Sequence, residues 1–410
     1  MIAACGQMTA TTMDQAASVW GVVGKLARQA HEAKADLLVL PEATYPAYWL
    51  ESVERYRRAD IERSAAVLAR LSKLAAENAL WLVAGFVEEE DERLFNSAAV
   101  FDRSGKLVGT ARKNFLWDCD HRWFAPGEAI STFDTEFGRM GVLICADARM
   151  PEIAATLAHD RANLIVQPTA WVNTSKIRRT YRNIQPDFLI RARAMECGVP
   201  FVCSSKSGRE GTILEYVGQS QIVAGDGTVL AKAAIGGDEL IAAQAAPKTP
   251  RPLGIADHLR RRLLSPEPPF RAEQPGGRCR IPLKADLSAM AAALARAAAR
   301  TAKISAADLS GFAAARCAVL DGAQVLLVEG RLMDDTTARA RAAENRAFVI
   351  VASDKVYKVI DPDGAVAWGE GDWSDTLEVD LGQADMKQFT PETDMWGGRR
   401  VGSYRLGDHG

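Results

Sequence analysis

The first 250 residues alternate short apolar runs with segments of helical periodicity, and this alternation restricts the chain to a layered α/β fold. The apolar runs are too short for helices and predict buried strands at residues 2–7, 36–40, 81–87, 96–101, 107–112, 140–144, 163–167 and 200–204. Helical spacing predicts helices at residues 13–33, 60–78 and 152–160 and a long helix that ends at Gly198. Sheets of this kind place ligands at the carboxyl ends of their strands, so residues that follow a strand are the first candidates for chemistry.

Cys145 lies at a predicted sharp bend between the strand at residues 140–144 and the next helix. Pro151 suits the first position of that helix, and Glu152 suits its positive end. Backbone N–H groups without partners at such a bend can present a thiolate and hold a developing oxyanion. Taken alone, however, a single cysteine in this setting is more often a buried structural residue.

Two other residues follow strands in the same way. Glu42 stands in Leu-Pro-Glu-Ala-Thr-Tyr-Pro, and Lys113 stands in Ala-Arg-Lys-Asn-Phe-Leu-Trp. A free thiol has a pKa near ~8.5, so we expect Lys113 to hold Cys145 as a thiolate at neutral pH. Glu42 can take the thiol proton and return it to a leaving amine, while Lys113 and the backbone of the bend stabilise a tetrahedral intermediate. Glu42 alone or Lys113 alone would be read as an ordinary residue at a strand end.

As an ordered set these motifs resemble the nitrilase superfamily of carbon–nitrogen hydrolases, over residues 1 to about 250. The segment from Arg149 to Glu152 matches the Arg-x-Pro-Glu that commonly ends the cysteine motif of that family. The resemblance implies a four-layer αββα sandwich, with Glu42 as general base, Lys113 as stabilising cation and Cys145 as nucleophile. It also implies hydrolysis of a small amide or N-carbamoyl compound through a thioester, with no cofactor and no metal.

Many family members carry a second acidic residue between the lysine and the cysteine. N-carbamoyl amino-acid hydrolases have it in Glu-Lys-Arg-Tyr-Phe before Pro-Gly, and the matching segment here runs from Asp120 to Phe124 before Pro126. By the resemblance, Asp120 is a shorter substitute that positions Lys113 or the substrate amine, and His121 could share this role. The alternatives are a polar surface loop and a metal site, for which nothing else in the sequence supplies ligands.

Four more residues are candidates for substrate binding. Trp171 ends the strand after the bend and is expected to border the pocket, with a core tryptophan as an equal alternative. Arg149 could bind a substrate carboxylate or form a structural ion pair. Ala146 follows the nucleophile where true nitrilases usually have Trp-Glu, which favours an amide or ureide over a nitrile. Tyr48, shortly after Glu42, completes the set.

Other functions are compatible with parts of this sequence. A nitrilase is the alternative within the family. A papain-like cysteine hydrolase would need a histidine beside the thiol, and only His121 of the five histidines falls in a motif region. A non-catalytic scaffold is the alternative from another class. The basic run at residues 176–182 could receive an anionic substrate, but a solvated face is the favoured interpretation.

Charge and cysteine content restrict the partners and the compartment. A formal net charge of −2 gives no indication of nucleic acid or an acidic membrane as partner, and no apolar run has the length of a membrane span. The seven cysteines are odd in number and include no Cys-x-x-Cys pair. This pattern predicts reduced thiols in the cytoplasm.

The remainder of the chain is predicted to be a Pro- and Arg-rich linker at residues 251–282 and a truncated second copy at residues 283–410. No lysine corresponds to Lys113, and Ala306 stands where Cys145 would be. The copy would therefore be a non-catalytic nitrilase-like domain, which predicts an intramolecular pseudo-dimer in a monomer or a homodimer. The matches that indicate it are residues 163–167 with 324–328, 191–196 with 339–344, 201–205 with 348–352, and 226–227 with 363–364.

Overall fold

The structure is a computed structural model that describes residues 1–175, 180–332, 334–369 and 372–407. Most of the basic run, residues 176–179, lies outside the described residues. The described chain divides into two compact units, residues 1–252 with 403–405 and residues 253–402 with 406–407. No helix within these ranges is long and apolar enough to cross a membrane.

Strands and helices alternate through most of the first unit. Its strands are β1 (Ile2–Thr9), β2 (Leu37–Val39), β3 (Trp81–Glu90), β4 (Arg93–Phe101), β5 (Leu107–Arg112), β6 (Ser131–Thr135), β7 (Gly138–Val142), β8 (Leu164–Thr169), β9 (Phe201–Glu210), β10 (Leu214–Val217), β11 (Gln221–Val223), β12 (Val229–Lys232) and β13 (Glu239–Gln244). Its helices are α1 (Ala16–Glu32), α2 (Val53–Arg58), α3 (Ser64–Asn78), α4 (Asp120–Trp123), α5 (Pro151–His159) and α6 (Ile190–Cys197).

Twelve of these thirteen strands form two six-stranded halves that pack face to face, and β10 pairs with the end of β9. One half has the order β13-β1-β2-β3-β4-β5 and the other has the order β12-β11-β9-β8-β7-β6. The halves join where the end of β1 pairs with β9, Met8 lying opposite Lys206. Helices α1 and α3 cover the first half, and α5 and α6 cover the second. This is the four-layer αββα sandwich that the resemblance implied, so the predicted fold class is confirmed for the first unit.

The helix patterns explain how the outer layers attach to the sheets. In α1, Val19, Val23 and Leu26 lie one turn apart on the buried face, and in α3 Val67 and Leu71 do the same. Each such side chain contributes about 1.5–3 kcal/mol of hydrophobic free energy when it is fully buried.

Two predicted helices differ in extent from the observed ones. The helix predicted at residues 60–78 begins at Ser64, and a separate helix α2 precedes it, capped by Ser52, whose hydroxyl accepts from the Arg55 N–H at 3.0 Å. The long helix that ends at Gly198 is α6 preceded by a π turn at Gln185–Leu189, and Gly198 closes α6 with a left-handed φ of 70°.

The second unit has a central mixed sheet, with both parallel and antiparallel strand pairs, and helices around it. Its strands are β14 (Arg278–Pro282), β15 (Thr301–Ser305), β16 (Val325–Glu329), β17 (Phe348–Ala352), β18 (Val356–Ile360), β19 (Val366–Gly369), β20 (Thr376–Asp380), β21 (Gln388–Thr390) and β22 (Thr393–Asp394). Its helices are α7 (Asp257–Leu264), α8 (Leu287–Arg296), α9 (Ala306–Ser310), α10 (Ala313–Leu320), α11 (Thr336–Asn345) and α12 (Gly382–Asp385). Residues 251–282, which we expected to be a linker, thus contain α7 and β14, and β14 pairs with β20.

The central sheet of the second unit follows the strand order of the second half of the first unit. Its order β15-β16-β17-β18-β19 has the same parallel and antiparallel neighbours as β7-β8-β9-β11-β12. The registers agree as well, since Met140 lies opposite Leu164 in β7 and β8, and Thr301 lies opposite Val325 in β15 and β16.

The same registers correct one predicted match by a single residue. Phe201 pairs with Ile165 in the first unit, and the residue in the equivalent place of the second unit is Val349, which pairs with Leu326. We had expected Phe348 at that place. Because β17 is buried on both faces, its sequence is a continuous hydrophobic run, and a shift of the match by one residue leaves that run unchanged.

Candidate active site

Three strand ends bring Glu42, Lys113 and Cys145 to one buried region of the first unit. Glu42 follows β2, Lys113 follows β5 directly, and Cys145 follows β7 after two residues. The bend at Glu42 depends on a glycine in the neighbouring strand, because a Cβ on Gly85 would lie 2.4 Å from the Pro41 carbonyl oxygen. Only glycine lets β3 approach this turn so closely.

The amine of Lys113 lies between two carboxylates. Its Nζ is 2.6 Å from Glu42 Oε1 and 2.6 Å from Asp120 Oδ2, and all three side chains are at most 1% exposed. Asn96 Nδ2 donates a further hydrogen bond to Glu42 Oε1 at 2.7 Å. Burial alone would lower the pKa of Lys113, but the charges of Asp120 and Glu42 outweigh it and raise this pKa well above its usual value.

Glu42 has the electrostatic setting of a proton acceptor. Burial raises the pKa of its carboxyl, the Lys113 charge opposes that rise, and the Asp120 charge adds to it. A raised pKa lies closer to neutral pH, and general bases and acids are most effective when their pKa is near the working pH.

Cys145 has a left-handed backbone with a φ of 44°, the strained bend that the sequence predicted between strand and helix. The helix after this bend begins at Pro151, also as predicted. Burial raises the pKa of the Cys145 thiol to about 12, the Glu42 charge adds to this, and the Lys113 charge opposes it. Burial therefore favours the protonated form of the thiol. The expectation that Lys113 holds a thiolate at neutral pH stays a prediction, and the two carboxylates beside its amine oppose that effect.

Asp147 links the cysteine bend to the lysine segment, a role that the sequence did not reveal. Its Oδ1 accepts from the backbone N–H of Asn114 at 3.0 Å and of Phe115 at 2.7 Å, and its Oδ2 accepts from Ile144 N–H at 2.9 Å. Burial raises the pKa of this carboxyl to about 7, against the three N–H donors and the Lys113 charge. The one available signal was an acidic residue two positions after the cysteine.

The structure distinguishes between Asp120 and His121, the two candidates for the auxiliary role beside Lys113. Asp120 is fully buried and contacts Lys113, and the Trp117 N–H donates to its Oδ2 at 2.8 Å. His121 is exposed at the surface, and no contact of its side chain with Lys113 is found in the described chain.

The remaining predicted residues differ in how directly they border the site. Tyr48 is buried with its ring centroid 5.6 Å from Lys113 Nζ, and Ala146 is buried beside the cysteine. Trp171 is fully buried. Arg149 is also buried, and its guanidinium lies 4.1 Å from the centroid of the Trp117 ring, a cation–π contact.

Several buried polar atoms at the site have no hydrogen-bond partner within the described residues. They include Glu42 Oε2 and Asp120 Oδ1. Each of these two carboxylate oxygens can accept a hydrogen bond from a bound molecule. The described part of the chain contains no group of three or more His, Cys, Asp or Glu side chains that could hold a metal ion.

A glutamate–lysine–aspartate cluster beside a strained cysteine, on an αββα sandwich, defines a hydrolase of the nitrilase type. The Carbon-nitrogen hydrolase family profile matches residues 2–252, and the chain belongs to this family of enzymes. It is 29% identical over 236 residues to the probable nitrilase C965.09 of Schizosaccharomyces pombe, covering 55% of this chain and 82% of that protein. It is 32% identical over 218 residues to the human omega-amidase NIT2, covering 50% of this chain and 75% of that protein.

Solved structures agree on the fold. The NitN amidase from Nesterenkonia sp. AN1 superposes with a TM-score of 0.52 at 24% sequence identity, covering 60% of this chain and 92% of that chain. A cysteine-to-alanine mutant of the same amidase in complex with butyramide superposes with a TM-score of 0.53.

Proposed function

We propose that this enzyme hydrolyses the C–N bond of a small carboxamide or N-carbamoyl compound through a thioester on Cys145. The observation that carries the proposal is the position of Lys113 Nζ, 2.6 Å from both Glu42 and Asp120, in a buried cluster that also shifts the pKa of Cys145. In this proposal Glu42 is the general base, Lys113 is the cation that stabilises the intermediate, and Asp120 holds Lys113.

In the acylation step the Cys145 thiol proton passes to Glu42 as Sγ attacks the carbonyl carbon of the substrate. The carbonyl π electrons move to oxygen, and Lys113 with the backbone N–H groups of the bend stabilises this oxyanion. Glu42 then gives its proton to the substrate nitrogen, the C–N bond breaks, and ammonia or an amine leaves. Burial raises the pKa of this thiol, which favours transfer of its proton to Glu42 as Sγ attacks.

In the deacylation step Glu42 takes a proton from water, and the hydroxide formed attacks the thioester carbonyl. The C–S bond breaks, the proton returns to Sγ, and a carboxylic acid is released. The net change is amide plus water to acid plus ammonia. An N-carbamoyl compound would give a carbamate at this point, which decomposes to an amine and carbon dioxide.

The unpaired acceptors favour an amide over a nitrile as substrate. Glu42 Oε2 and Asp120 Oδ1 can each accept a hydrogen bond from the NH₂ group of a carboxamide or ureide, whereas a nitrile has no N–H to donate. Two relatives, one named an omega-amidase and one bound to butyramide, support this choice. The relative named a probable nitrilase makes nitrile hydrolysis the second candidate.

The test is an ammonia-release screen over small carboxamides, N-carbamoyl amino acids and nitriles. Cys145→Ala is the blank, and Cys197→Ala, which removes another buried thiol, is the matched control. We expect ammonia from carboxamides or N-carbamoyl compounds with the wild type and with Cys197→Ala, and none with Cys145→Ala. Equal turnover by Cys145→Ala would overturn the proposal, and turnover of nitriles alone would replace it with the second candidate.

We also propose that the second unit is a degenerate copy of the later half of the first. Two arginines support this, since Arg191 Nε donates to the Gly227 carbonyl at 2.9 Å and Arg339 Nε donates to the Gly364 carbonyl at 2.8 Å. Ala306 begins α9 in the place of Cys145. This copy would have no catalytic role. The pseudo-dimer and the cytoplasmic location stay predictions.

A further inference from the structure

Two buried glutamines connect the backbone carbonyl of Cys145 to its own sulfur. Gln167 lies on β8, and its Nε2 donates to the Cys145 carbonyl at 2.8 Å and to Gln185 Oε1 at 2.9 Å. Gln185 is the first residue of the π turn before α6, and its Nε2 lies 4.0 Å from Cys145 Sγ. Gln167 is fully buried and Gln185 is 2% exposed.

These contacts fix which end of the Gln185 carboxamide faces the sulfur. Gln167 Nε2 carries two hydrogens, and both are used, one by the Cys145 carbonyl and one by Gln185 Oε1. A flipped Gln185 amide would place its NH₂ group against the NH₂ group of Gln167, which is a donor facing a donor. The Gln185 NH₂ group therefore points towards Sγ.

The other side-chain donors near the sulfur are the Thr169 hydroxyl and the Lys113 amine. The Lys113 amine is shared by two carboxylates at 2.6 Å, and Glu42 carries a negative charge of its own before it accepts the proton. A carboxamide N–H brings a hydrogen-bond donor without bringing a charge that would need a partner. The distance of 4.0 Å is long for a neutral thiol and can shorten as charge develops.

We propose that the Gln185 carboxamide is a catalytic group that stabilises the negative charge on Cys145 Sγ, both as the thiol attacks and as the thioester breaks, and that Gln167 positions it. The proposal rests on the role of Cys145 as nucleophile. Gln185 exchanges no proton and forms no bond. A π turn suits such a role, because these turns occur frequently at functional sites.

The decisive variants are Gln185→Leu, which removes the donor, and Gln185→Glu, which keeps the shape but replaces the NH₂ group with an oxygen. The matched control is Gln221→Leu, since Gln221 is a fully buried glutamine of β11 whose carboxamide has no partner within the described residues. Three quantities are measured in the full chain. They are kcat and KM for the best carboxamide of the screen, and the rate at which methyl methanethiosulfonate modifies Cys145 at fixed pH, followed by mass spectrometry of its peptide.

We expect Gln185→Leu to lower kcat on the order of 10- to 100-fold with KM changed less than about threefold, and to slow Cys145 modification by about tenfold. Gln185→Glu should lower both rates further, because it places an acceptor against the developing charge. Gln221→Leu should leave both rates within about twofold.

A purely structural role for Gln185 predicts that folded variants keep the kcat and the Cys145 modification rate of the wild type. If folded Gln185→Leu and Gln185→Glu keep kcat and the modification rate of the wild type within about twofold, the proposal is wrong. Should Gln185→Leu fail to fold, the nearly isosteric Gln185→Glu decides the question by the same two rates. Failure of the proposed function is distinguishable, since Cys145→Ala would then remain active.

Discussion

Lys113 Nζ and Asp120 Oδ2 lie 2.6 Å apart in the fully buried part of the first unit. A shorter acid here than in the N-carbamoyl hydrolases still reaches the amine, because the chain turns at α4, where the Trp117 N–H binds the same oxygen. The consequence is a cluster with two carboxylates and one ammonium. Within this cluster the Asp120 charge adds to the raised pKa of Glu42, which makes that carboxylate a stronger proton acceptor.

Asp120→Asn should lower kcat by about 10- to 100-fold, because Lys113 loses one of the two charges that hold it. The Asp120 charge also raises the pKa of Glu42. Its removal lowers that pKa, so the acidic limb of the kcat/KM profile should move to lower pH. His121→Ala is the matched control and should stay within about twofold of the wild type, since its side chain is exposed. Equal losses in both variants would contradict the assignment.

Lys113→Met should abolish detectable turnover and destabilise the first unit by about 3–5 kcal/mol, because it leaves Glu42 and Asp120 as buried like charges. The Lys113 charge opposes the raised pKa of Glu42, so without it that pKa would be higher still in the folded state, and folding would bind a proton. The loss of stability should therefore be larger at about pH 8 than at about pH 5, as urea unfolding followed by tryptophan fluorescence can show. Lys73→Met, which removes an exposed amine, should change neither quantity. A loss that does not depend on pH would contradict this account.

The rate at which methyl methanethiosulfonate modifies Cys145 should rise about tenfold per pH unit from about pH 7 to about pH 9. The reason is that burial raises the pKa of this thiol to about 12, so the thiolate fraction keeps growing with pH across that range. Mass spectrometry of the Cys145 peptide measures the rate, and Cys145→Ala identifies that peptide. A plateau below about pH 8 would show instead that a thiolate is preformed.

Position along the chain was enough to find the three residues that follow strands, Glu42, Lys113 and Cys145. It was not enough for Asn96, whose amide contacts Glu42 from another strand, nor for the two glutamines at the sulfur. Their partners are set by tertiary packing, which apolar periodicity does not record. The protonation state of Cys145 depends on tertiary packing for a related reason. The sequence indicated a cation beside the cysteine, but only the packed structure shows that two buried carboxylates share it.

The fold was likewise predictable in its strands and layers but not in the ends of its elements. Short apolar runs marked the strands, and the family resemblance implied the four layers. Element ends were less certain, since residues 60–63 lie before α3 and a π turn precedes α6. In the second unit, the matched arginines and turns were informative because they bear specific hydrogen bonds. The apolar strand at Phe348 was not, and there the predicted register was off by one residue.

Asp147→Asn should lower kcat by about 10- to 100-fold with little change in KM. Asp147 accepts hydrogen bonds from three backbone N–H groups. An asparagine would place its own N–H against one of these donors, so the lysine segment or the cysteine bend must shift. A misplaced catalytic group costs rate even when the substrate still binds. The kinetic constants are compared with those of Asp134→Asn, whose side chain is exposed. A rise in KM alone would point to a substrate-binding role for Asp147 instead.

Arg193 and Arg341 test whether the second unit is a copy without the chemistry. Arg193 Nε donates to the Ala148 carbonyl at 2.9 Å, in the turn that begins at Cys145, and Arg341 Nε donates to the Leu309 carbonyl at 3.1 Å. Both arginines are fully buried, and each pairs with the glutamate three residues further along the chain.

Removing either arginine breaks a buried ion pair, at a cost of about 3–5 kcal/mol in its own unit. Arg193→Met should therefore speed hydrogen exchange in α6 and also lower kcat, because it releases the turn of the nucleophile. Arg341→Met should speed exchange in α11 with kcat/KM within about twofold of the wild type. If Arg341→Met instead abolishes turnover while exchange in α11 stays unchanged, the second unit contributes to catalysis and is more than a degenerate copy.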